Sequence, residues 1–189
     1  HFNLLIIGPP GSGKTNLAVA LLTGPYKRKF RYIFHISPVA PDVKVKRLKL
    51  DEDRFADDLE AIAELLMVAD GERCCFLLDD ATSMLRGGRD TELSNLITGG
   101  HHLRASTIAC VHTVGNLSST PPILKKCAHA VALARGVPTA ELKGLVPYLK
   151  GGLTLDQLTS AYRRAEELSL PLMVRQDGTV LIGFDEYRV

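Results

Sequence analysis

The sequence contains no tryptophan, few aromatic residues and almost no net charge. Aromatic residues make up 6% of its 189 residues, and the formal net charge is +2. So small an overall charge points to no particular class of partner, and only local charge clusters can support such an argument. Hydrophobic residues at 46% and charged residues at 23% are enough for a packed core. We expect one domain over residues 1–189.

Two further absences concern metals and membranes. None of the four cysteines belongs to a C-x-x-C pair, which argues against a zinc site and indicates a reducing compartment. His101 and His102 are adjacent, but no third ligand follows at a suitable spacing, so we interpret them as surface residues. No apolar run approaches the roughly 20 residues that a membrane-spanning helix needs, and we expect no transmembrane segment.

Short apolar runs alternate along the chain with segments of helical spacing. The apolar runs predict strands over residues 2–8, 31–37, 73–80, 105–113 and 128–135. The intervening segments predict helices, among them a long amphipathic helix over residues 53–70. A hairpin is predicted around Asp177 and Gly178. The alternation predicts an α/β fold with a mostly parallel central sheet, flanking helices and a C-terminal β-hairpin.

Residues 8–15 read GPPGSGKT and match the G-x-x-x-x-G-K-[ST] phosphate-binding pattern in full. The motif follows a predicted strand and opens a predicted helix, where backbone N–H groups and a helix N-terminus can surround a phosphate. Lys14 would reach the β- and γ-phosphates of ATP, and the Thr15 hydroxyl would hold Mg²⁺. A chance glycine turn is the alternative. The predicted nucleotide contacts are Gly8, Pro9, Pro10, Gly11, Ser12, Gly13, Lys14 and Thr15.

A second polar group follows the apolar run at residues 75–78, which ends in the adjacent acids Asp79 and Asp80. We expect Asp79 to bind Mg²⁺, directly or through water, because Mg²⁺ takes one or two carboxylates beside phosphate oxygens. Asp80 is the candidate that orients or deprotonates the attacking water. The alternative for Asp80 is the N-cap of a following helix, a position that aspartate favours.

A third signal is the predicted strand over residues 105–113, which ends in His112 and Thr113. A strand lying between the loop strand and the acid strand would deliver a polar side chain to the γ-phosphate. His112 is our candidate catalytic sensor of that phosphate. The alternative is a strand-end histidine with no role, since histidine serves many purposes.

Together these segments resemble the DNA-packaging ATPases of the FtsK–HerA superfamily, in particular the branch found in poxvirus-like and membrane-containing icosahedral viruses. The segments that carry the resemblance are IIGPPGSGKTNLAVALL, YIFHISP, FLLDDATS, GGHHLRASTIACVHT and PPILKKCAHAVALAR. Their order and spacing agree over nearly the whole chain. Three positions depart from the pattern: His112 replaces a glutamine, Gly100 an arginine, and Asp80 the glutamate usual elsewhere in the superfamily.

The resemblance implies a RecA-like (ASCE) P-loop ATPase that works as a ring, a pentamer or hexamer, with ATP at subunit interfaces. Such enzymes take an arginine from the neighbouring subunit. The candidates are Arg86, Arg89 and Arg104, and we favour Arg89 and Arg104 over the alternative of ordinary surface arginines. The resemblance also implies double-stranded DNA as a partner, a capsid or membrane protein at a packaging vertex, and a location in the host cell cytoplasm or the virion.

In such a ring, basic residues would contact the phosphate backbone of the passing DNA without reading its base sequence. The candidates are Lys44, Lys46, Arg47, Lys49, Lys125 and Lys126. The alternative is that these charges form a solvated face.

Three other functions stay open. A nucleoside or nucleotide kinase combines such a loop with a short α/β chain, but Arg163 and Arg164 are the only late arginine pair for a lid. A loader-type ATPase with a helical lid fits the loop but not the predicted hairpin. An ATP-binding virion assembly or secretion protein would use nucleotide without pumping DNA. DNA-stimulated turnover and phosphate transfer to nucleosides separate these functions.

Overall fold

The computed structural model describes residues 1–40, 43–80, 90–113, 122–149, 151–183 and 185–187. Its strands are β1 (Asn3–Ile7), β2 (Tyr32–Ile36), β3 (Phe55–Ala56), β4 (Cys74–Leu78), β5 (Ala105–Val111), β6 (Ala130–Leu133), β7 (Leu172–Arg175), β8 (Val180–Ile182) and β9 (Asp185–Tyr187). Its α-helices are α1 (Lys14–Thr23), α2 (Ile62–Ala69), α3 (Asp90–Gly99), α4 (Pro122–Lys126), α5 (Thr139–Leu145) and α6 (Leu155–Glu167).

The strands form one sheet in the order β3-β2-β4-β5-β1-β6-β7-β8-β9. Strands β1 to β6 pair in parallel, whereas β7, β8 and β9 pair antiparallel at one side. The α/β fold with a mostly parallel sheet is therefore confirmed. β5 lies between β1 and β4, as predicted for the strand that ends at His112. Parallel strands place their C-terminal ends at one edge, and the loop, the acids and His112 meet there.

Helices cover both faces of the sheet, which explains why its central strands are buried throughout. β1 and β4 are buried at every position, as expected for parallel strands covered on both sides. On one face α1 packs Leu21 and Leu22 against the sheet. On the other face the remaining helices contribute Leu65, Leu96 and Leu158, among others. Within the described ranges, no helix combines the length and apolar character needed to cross a membrane.

The predicted helix over residues 53–70 is wrong in its first half. That half contains a 3₁₀ turn, the short strand β3 and a second 3₁₀ turn, and only α2 is α-helical. Phe55 and Ala56 pair with the edge of β2 instead of continuing a helix. The side chain of Asp58 then accepts a hydrogen bond from the backbone N–H of Glu60 at 3.1 Å and begins the next turn. Pairing with a distant strand outweighed the local helical spacing.

The predicted hairpin around Asp177 and Gly178 is confirmed by the antiparallel pairing of β7 with β8. Arg175 N–H donates to the carbonyl of Thr179 at 2.9 Å, which closes the turn. Gly178 has a φ of 88°, and a Cβ there would lie 2.6 Å from the Cα of Gly151. Glycine is therefore required at this position for both conformation and space. The strand β9 extends the hairpin by one further antiparallel pair.

Tyr162 joins α6 to the chain that follows β6. Its hydroxyl donates to the carbonyl of Ala134 at 2.8 Å and accepts from the N–H of Val137 at 2.7 Å. The side chain is buried, and burial raises the pKa of Tyr162 to about 12, so the donor proton is kept. Tyr162→Phe would leave a buried N–H without a partner.

We expect Tyr162→Phe to lower the free energy of unfolding by about 1–3 kcal/mol, measured by urea denaturation. Tyr32→Phe is the matched control, because the Tyr32 hydroxyl makes no hydrogen bond to a described residue. It should change stability by less than about 0.5 kcal/mol. Equal losses in the two variants would contradict the structural role of the Tyr162 hydroxyl.

Candidate active site

The predicted phosphate loop connects β1 to α1 and is fixed to the neighbouring strand. Gly8 N–H donates to the carbonyl of Val111 at the end of β5, at 3.2 Å. Gly11 and Gly13 have φ values of 75° and 92°, in the region where residues with a Cβ are strained. A Cβ on Gly8 would lie 2.5 Å from Ser12 Oγ. The glycines of the motif are thus required by the path of the backbone around the loop.

Lys14 begins α1 and folds its side chain back over the loop. Its Nζ donates to the carbonyls of Gly8 at 2.9 Å and Pro9 at 3.0 Å. The side chain is 7% exposed, and burial lowers the pKa of Lys14 from its usual value although Asp79 and Asp80 oppose the shift. The two carbonyl contacts hold the ammonium group at the loop, where an incoming phosphate would contact it.

Thr15 and Asp79 form a pair of oxygen ligands beside the loop. Thr15 Oγ1 lies 3.0 Å and 2.9 Å from the two carboxylate oxygens of Asp79 and donates its proton to them. Burial alone would raise the pKa of Asp79, but His35 and the Thr15 hydroxyl outweigh it and lower the pKa below its usual value. Asp79 is thereby held as a carboxylate, the form that binds a divalent cation.

His112 lies between Lys14 and Asp80. Its Nδ1 is 3.2 Å from Lys14 Nζ, and its Nε2 is 2.8 Å from Asp80 Oδ1. An ammonium group can only donate, so Nδ1 must accept and the proton of the neutral ring is on Nε2, facing Asp80. Asp80 itself has a φ of 54°, a conformation that aspartate tolerates better than most residues. The three predicted residues thus form one chain of contacts.

Two further polar residues at this edge were missed by the sequence reasoning. His35 and Ser37, at the end of β2, are buried and border the same cleft as Lys14 and Asp79. His35 Nε2 lies 3.9 Å from Asp79 Oδ2 and has no hydrogen-bond partner among the described residues. The available signal was the polar ending of the strand segment YIFHIS, the same pattern that identified the acids.

The cleft at this edge has a volume of about 360 Å³ and is bordered by the loop and the ends of β2, β4 and β5. Thr15 and Asp79 fit Mg²⁺, which takes few protein oxygens and completes its shell with phosphate and water. Buried Ser12 Oγ has no partner among the described residues, as expected where a ligand completes the loop. No group of three metal-binding side chains occurs in the described ranges, which include His101 and His102.

Of the three predicted arginines, only Arg104 lies within the described residues. Arg86 and Arg89 fall outside the described residues. Arg104 is exposed and immediately precedes β5, at the opposite edge of the sheet from His112. It therefore cannot reach the nucleotide of its own subunit, and a role toward a neighbouring subunit stays a prediction.

Only some of the predicted DNA-tracking cations face the solvent. Exposed candidates are Lys44, Lys46, Arg47, Lys49 and Lys126. Lys125 is only 8% exposed, with its Nζ 5.0 Å from the centre of the Tyr148 ring. The prediction of Lys125 as a DNA contact is therefore wrong, because its charge is directed at an aromatic face.

Solved structures with this fold include viral genome-packaging enzymes. The genome packaging NTPase B204 from Sulfolobus turreted icosahedral virus 2, in complex with ATP-γ-S, is 14% identical, with a TM-score of 0.64 over 95% of both chains. B204 from Sulfolobus Turreted Icosahedral Virus, described as a DNA-packaging ATPase, is 14% identical with a TM-score of 0.66 over 95% of both chains. These likenesses agree with the resemblance found in the sequence and, at such identities, concern the fold.

A secretion-system protein has the same fold over a smaller part of its length. EssC (ATPases 2 and 3) from Geobacillus thermodenitrificans is 14% identical with a TM-score of 0.65, over 98% of this chain and 39% of EssC. Among curated proteins, none matches this chain in sequence. A family model described as "ATPase family associated with various cellular activities (AAA)" matches residues 4–123, which is more than half of the chain. The chain therefore belongs to the AAA family of ATPases.

Proposed function

We propose that this ATPase is a motor that couples hydrolysis of ATP to the movement of double-stranded DNA into a viral capsid, as a ring of five or six subunits. The observation that supports it most is that the loop, the two acids and the histidine meet in one cleft. There the Thr15 hydroxyl donates to Asp79. His112 lies between Lys14 and Asp80. This set supplies a phosphate-binding cation, ligands for Mg²⁺ and a candidate base for the attacking water, which phosphoryl transfer to water uses.

Each side chain would have a distinct role in the reaction. The loop N–H groups and Lys14 would hold the β- and γ-phosphates and stabilise their charge. Thr15 and Asp79 would hold Mg²⁺, which would neutralise phosphate charge when bound. Asp80 would orient the attacking water and take its proton, since its side chain borders the cleft. His112 would hold Asp80 through Nε2 and change partner when a γ-phosphate displaces the Lys14 contact.

A cleft on the other side of the loop suits the nucleobase. It has a volume of about 290 Å³ and lies between the start of α1 and the segment around Leu170. Its lining includes the apolar side chains of Leu17, Ala134 and Pro171. A planar base could be buried there while the triphosphate enters the loop.

The proposed DNA partner depends on weaker support than the ATPase chemistry. The fold is that of proteins whose names describe genome packaging. The exposed cations that could contact phosphates are Lys44, Lys46, Arg47, Lys49 and Lys126. A capsid or membrane protein at a packaging vertex would be the further partner, and the host cytoplasm or virion the location. Arg89 and Arg104 would act on the ATP of a neighbouring subunit.

A second candidate function is an ATP-driven assembly or secretion role, favoured by the fold likeness to EssC. A kinase is less well supported. Arg163 and Arg164, the pair proposed for its lid, lie within α6, and Arg164 pairs with Glu167 at 3.0 Å. Neither candidate requires that DNA change the rate of hydrolysis.

Steady-state ATPase activity, measured with and without linear double-stranded DNA, tests the proposal. We expect DNA to raise the turnover rate per subunit several-fold, with ADP and phosphate as products. Nucleosides offered as acceptors should stay unphosphorylated, which is the control for a kinase. A rate that DNA leaves unchanged would contradict the motor and favour the assembly or secretion role.

A further inference from the structure

A buried histidine near the end of β2 lies beside the candidate Mg²⁺ ligands without a partner of its own. His35 is 2% exposed, and its Nε2 atom forms no hydrogen bond with a described residue. An unpaired polar atom in the interior is unfavourable, because it has lost its contacts with water and gained no others. Its position in a ligand cleft suggests that it pairs when the cleft is filled.

The pairing of β2 with β4 directs His35 toward Asp79. His35 is aligned with Leu77 on β4, and Asp79 N–H donates to the carbonyl of Ile36 at 2.9 Å, which continues the pairing to Asp79. Alternate residues of a strand point to the same face of the sheet, so Leu77 and Asp79 share a face. Leu77 belongs to the core cluster on the α1 side. His35 therefore lies diagonally across from Asp79, on the side of the sheet where α1 presents Thr15.

The short strand β3 supports the imidazole ring from its other side. β3 pairs with β2 and aligns Phe55 with His35. The two rings are in edge-to-face contact, with their centroids 5.7 Å apart and their planes at 79°, an arrangement that aromatic rings prefer. The imidazole of His35 is therefore held between Phe55 and the carboxylate of Asp79.

The distance from the ring to the carboxylate is slightly longer than a hydrogen bond. His35 Nε2 lies 3.9 Å from Asp79 Oδ2, whereas an N–H···O bond spans about 2.7–3.2 Å. The two oxygens of Asp79 lie 3.0 Å and 2.9 Å from the Thr15 hydroxyl, which has only one proton to donate. A shift of the carboxylate by about 1 Å would let Oδ2 accept from Nε2 while Oδ1 keeps Thr15.

We propose that His35 is a positioning residue, which donates a hydrogen bond from Nε2 to Asp79 and orients that carboxylate for Mg²⁺. A carboxylate can only accept, so the ring proton is on Nε2 in this contact. Thr15 then donates to one carboxylate oxygen, and its own oxygen stays available to the metal. Groups that orient metal ligands in this way raise metal affinity. The inference rests on the proposed binding of ATP and Mg²⁺ but not on DNA translocation.

A purely structural role for His35 is the alternative, and the two roles rank substitutions in opposite order. Phenylalanine keeps an aromatic ring against Phe55 but has no donor. Glutamine loses the ring but carries an amide N–H that can replace the donor at Nε2. A packing role therefore tolerates His35→Phe better, whereas a positioning role tolerates His35→Gln better.

Titration of nucleotide binding with Mg²⁺ tests the proposal. Affinity for a fluorescent ATP analogue is measured first in EDTA and then at rising Mg²⁺ concentration. In EDTA, His35→Phe should bind the analogue within about threefold of the wild type, because the phosphate loop is unchanged. The Mg²⁺ concentration for half-maximal effect should rise about 10-fold or more in His35→Phe, and less than about threefold in His35→Gln. His35→Leu should behave as His35→Phe does, and its smaller side chain avoids overpacking.

Three controls connect the effect to Asp79 and exclude misfolding. The urea midpoint of His35→Phe should equal or exceed that of the wild type, since removal of an unpaired buried donor is neutral or stabilising. In an Asp79→Asn background, His35→Phe should not raise the Mg²⁺ requirement further, because the carboxylate through which His35 acts is absent. His102→Phe changes an exposed histidine outside the cleft and should titrate as the wild type does.

The outcomes separate a failure of His35 from a failure of the proposed site. A wild-type Mg²⁺ titration that His35→Phe and His35→Leu leave unchanged would overturn the role of His35 alone. The same holds for a His35→Gln variant as impaired as His35→Phe, or for an effect that persists in full in the Asp79→Asn background. A wild-type chain whose nucleotide binding does not respond to Mg²⁺ would contradict both the proposed Mg²⁺ ligands and the role of His35.

Discussion

Replacement of Lys14 by alanine is expected to lower kcat for ATP hydrolysis by at least about 100-fold. The ammonium group is held over the loop by the carbonyls of Gly8 and Pro9, so it is positioned before a phosphate arrives. Its charge stabilises the transferring phosphoryl group in the transition state, and alanine supplies none. Phosphate release at saturating ATP and Mg²⁺ measures the effect.

Lys143→Ala is the control for this prediction. Lys143 is an exposed lysine on α5, outside the nucleotide cleft, and its loss should leave turnover unchanged. Lys14→Arg restores a positive charge but replaces the ammonium group with a larger, planar guanidinium group. It should recover little activity, because the Lys14 side chain is buried and leaves little space for the larger group. Turnover by Lys14→Ala close to the wild-type rate would mean that hydrolysis occurs at another site.

Asp80→Asn is expected to keep ATP binding within about threefold and to lower kcat by about 100-fold or more. The amide has the shape of the carboxylate and tolerates the positive φ of 54°, but it cannot take a proton from water. It can still contact His112 Nε2 through its carbonyl oxygen. Equilibrium binding of a fluorescent ATP analogue and steady-state turnover together measure both effects.

This substitution also separates the two interpretations of Asp80. Asparagine caps a helix as well as aspartate does, so a purely capping residue would lose nothing. Asp70→Asn is the control, because Asp70 is an exposed aspartate with a similar φ of 47° outside the cleft. It should retain full activity. Normal hydrolysis by Asp80→Asn would show that the proposed role is wrong.

The parts of the site that the sequence predicted are those with local signals. The phosphate loop is contiguous, from Gly8 to Thr15, and its glycines are required by the local backbone conformation. Asp79 and Asp80 directly follow an apolar run, and parallel strands bring such endings to one edge. His112 follows β5, which pairs in parallel with both β1 and β4, so the same rule predicted its position beside the loop and the acids.

The parts that the sequence did not predict depend on pairing between distant strands. β3 is two residues long and forms only because β2 offers an open edge, so helical spacing predicted a helix there. His35 is the penultimate residue of β2, and the alignment of β2 with β4 brings it near Asp79.

Displacement of a third strand from linear double-stranded DNA tests the central claim most directly. A motor that moves along a duplex removes a triplex-forming strand from its path, and the release is measured by fluorescence over time. We predict release by the wild-type chain that requires ATP and Mg²⁺ and that Lys14→Ala does not support. A wild-type chain that hydrolyses ATP in the presence of this DNA but releases no third strand would contradict the claim.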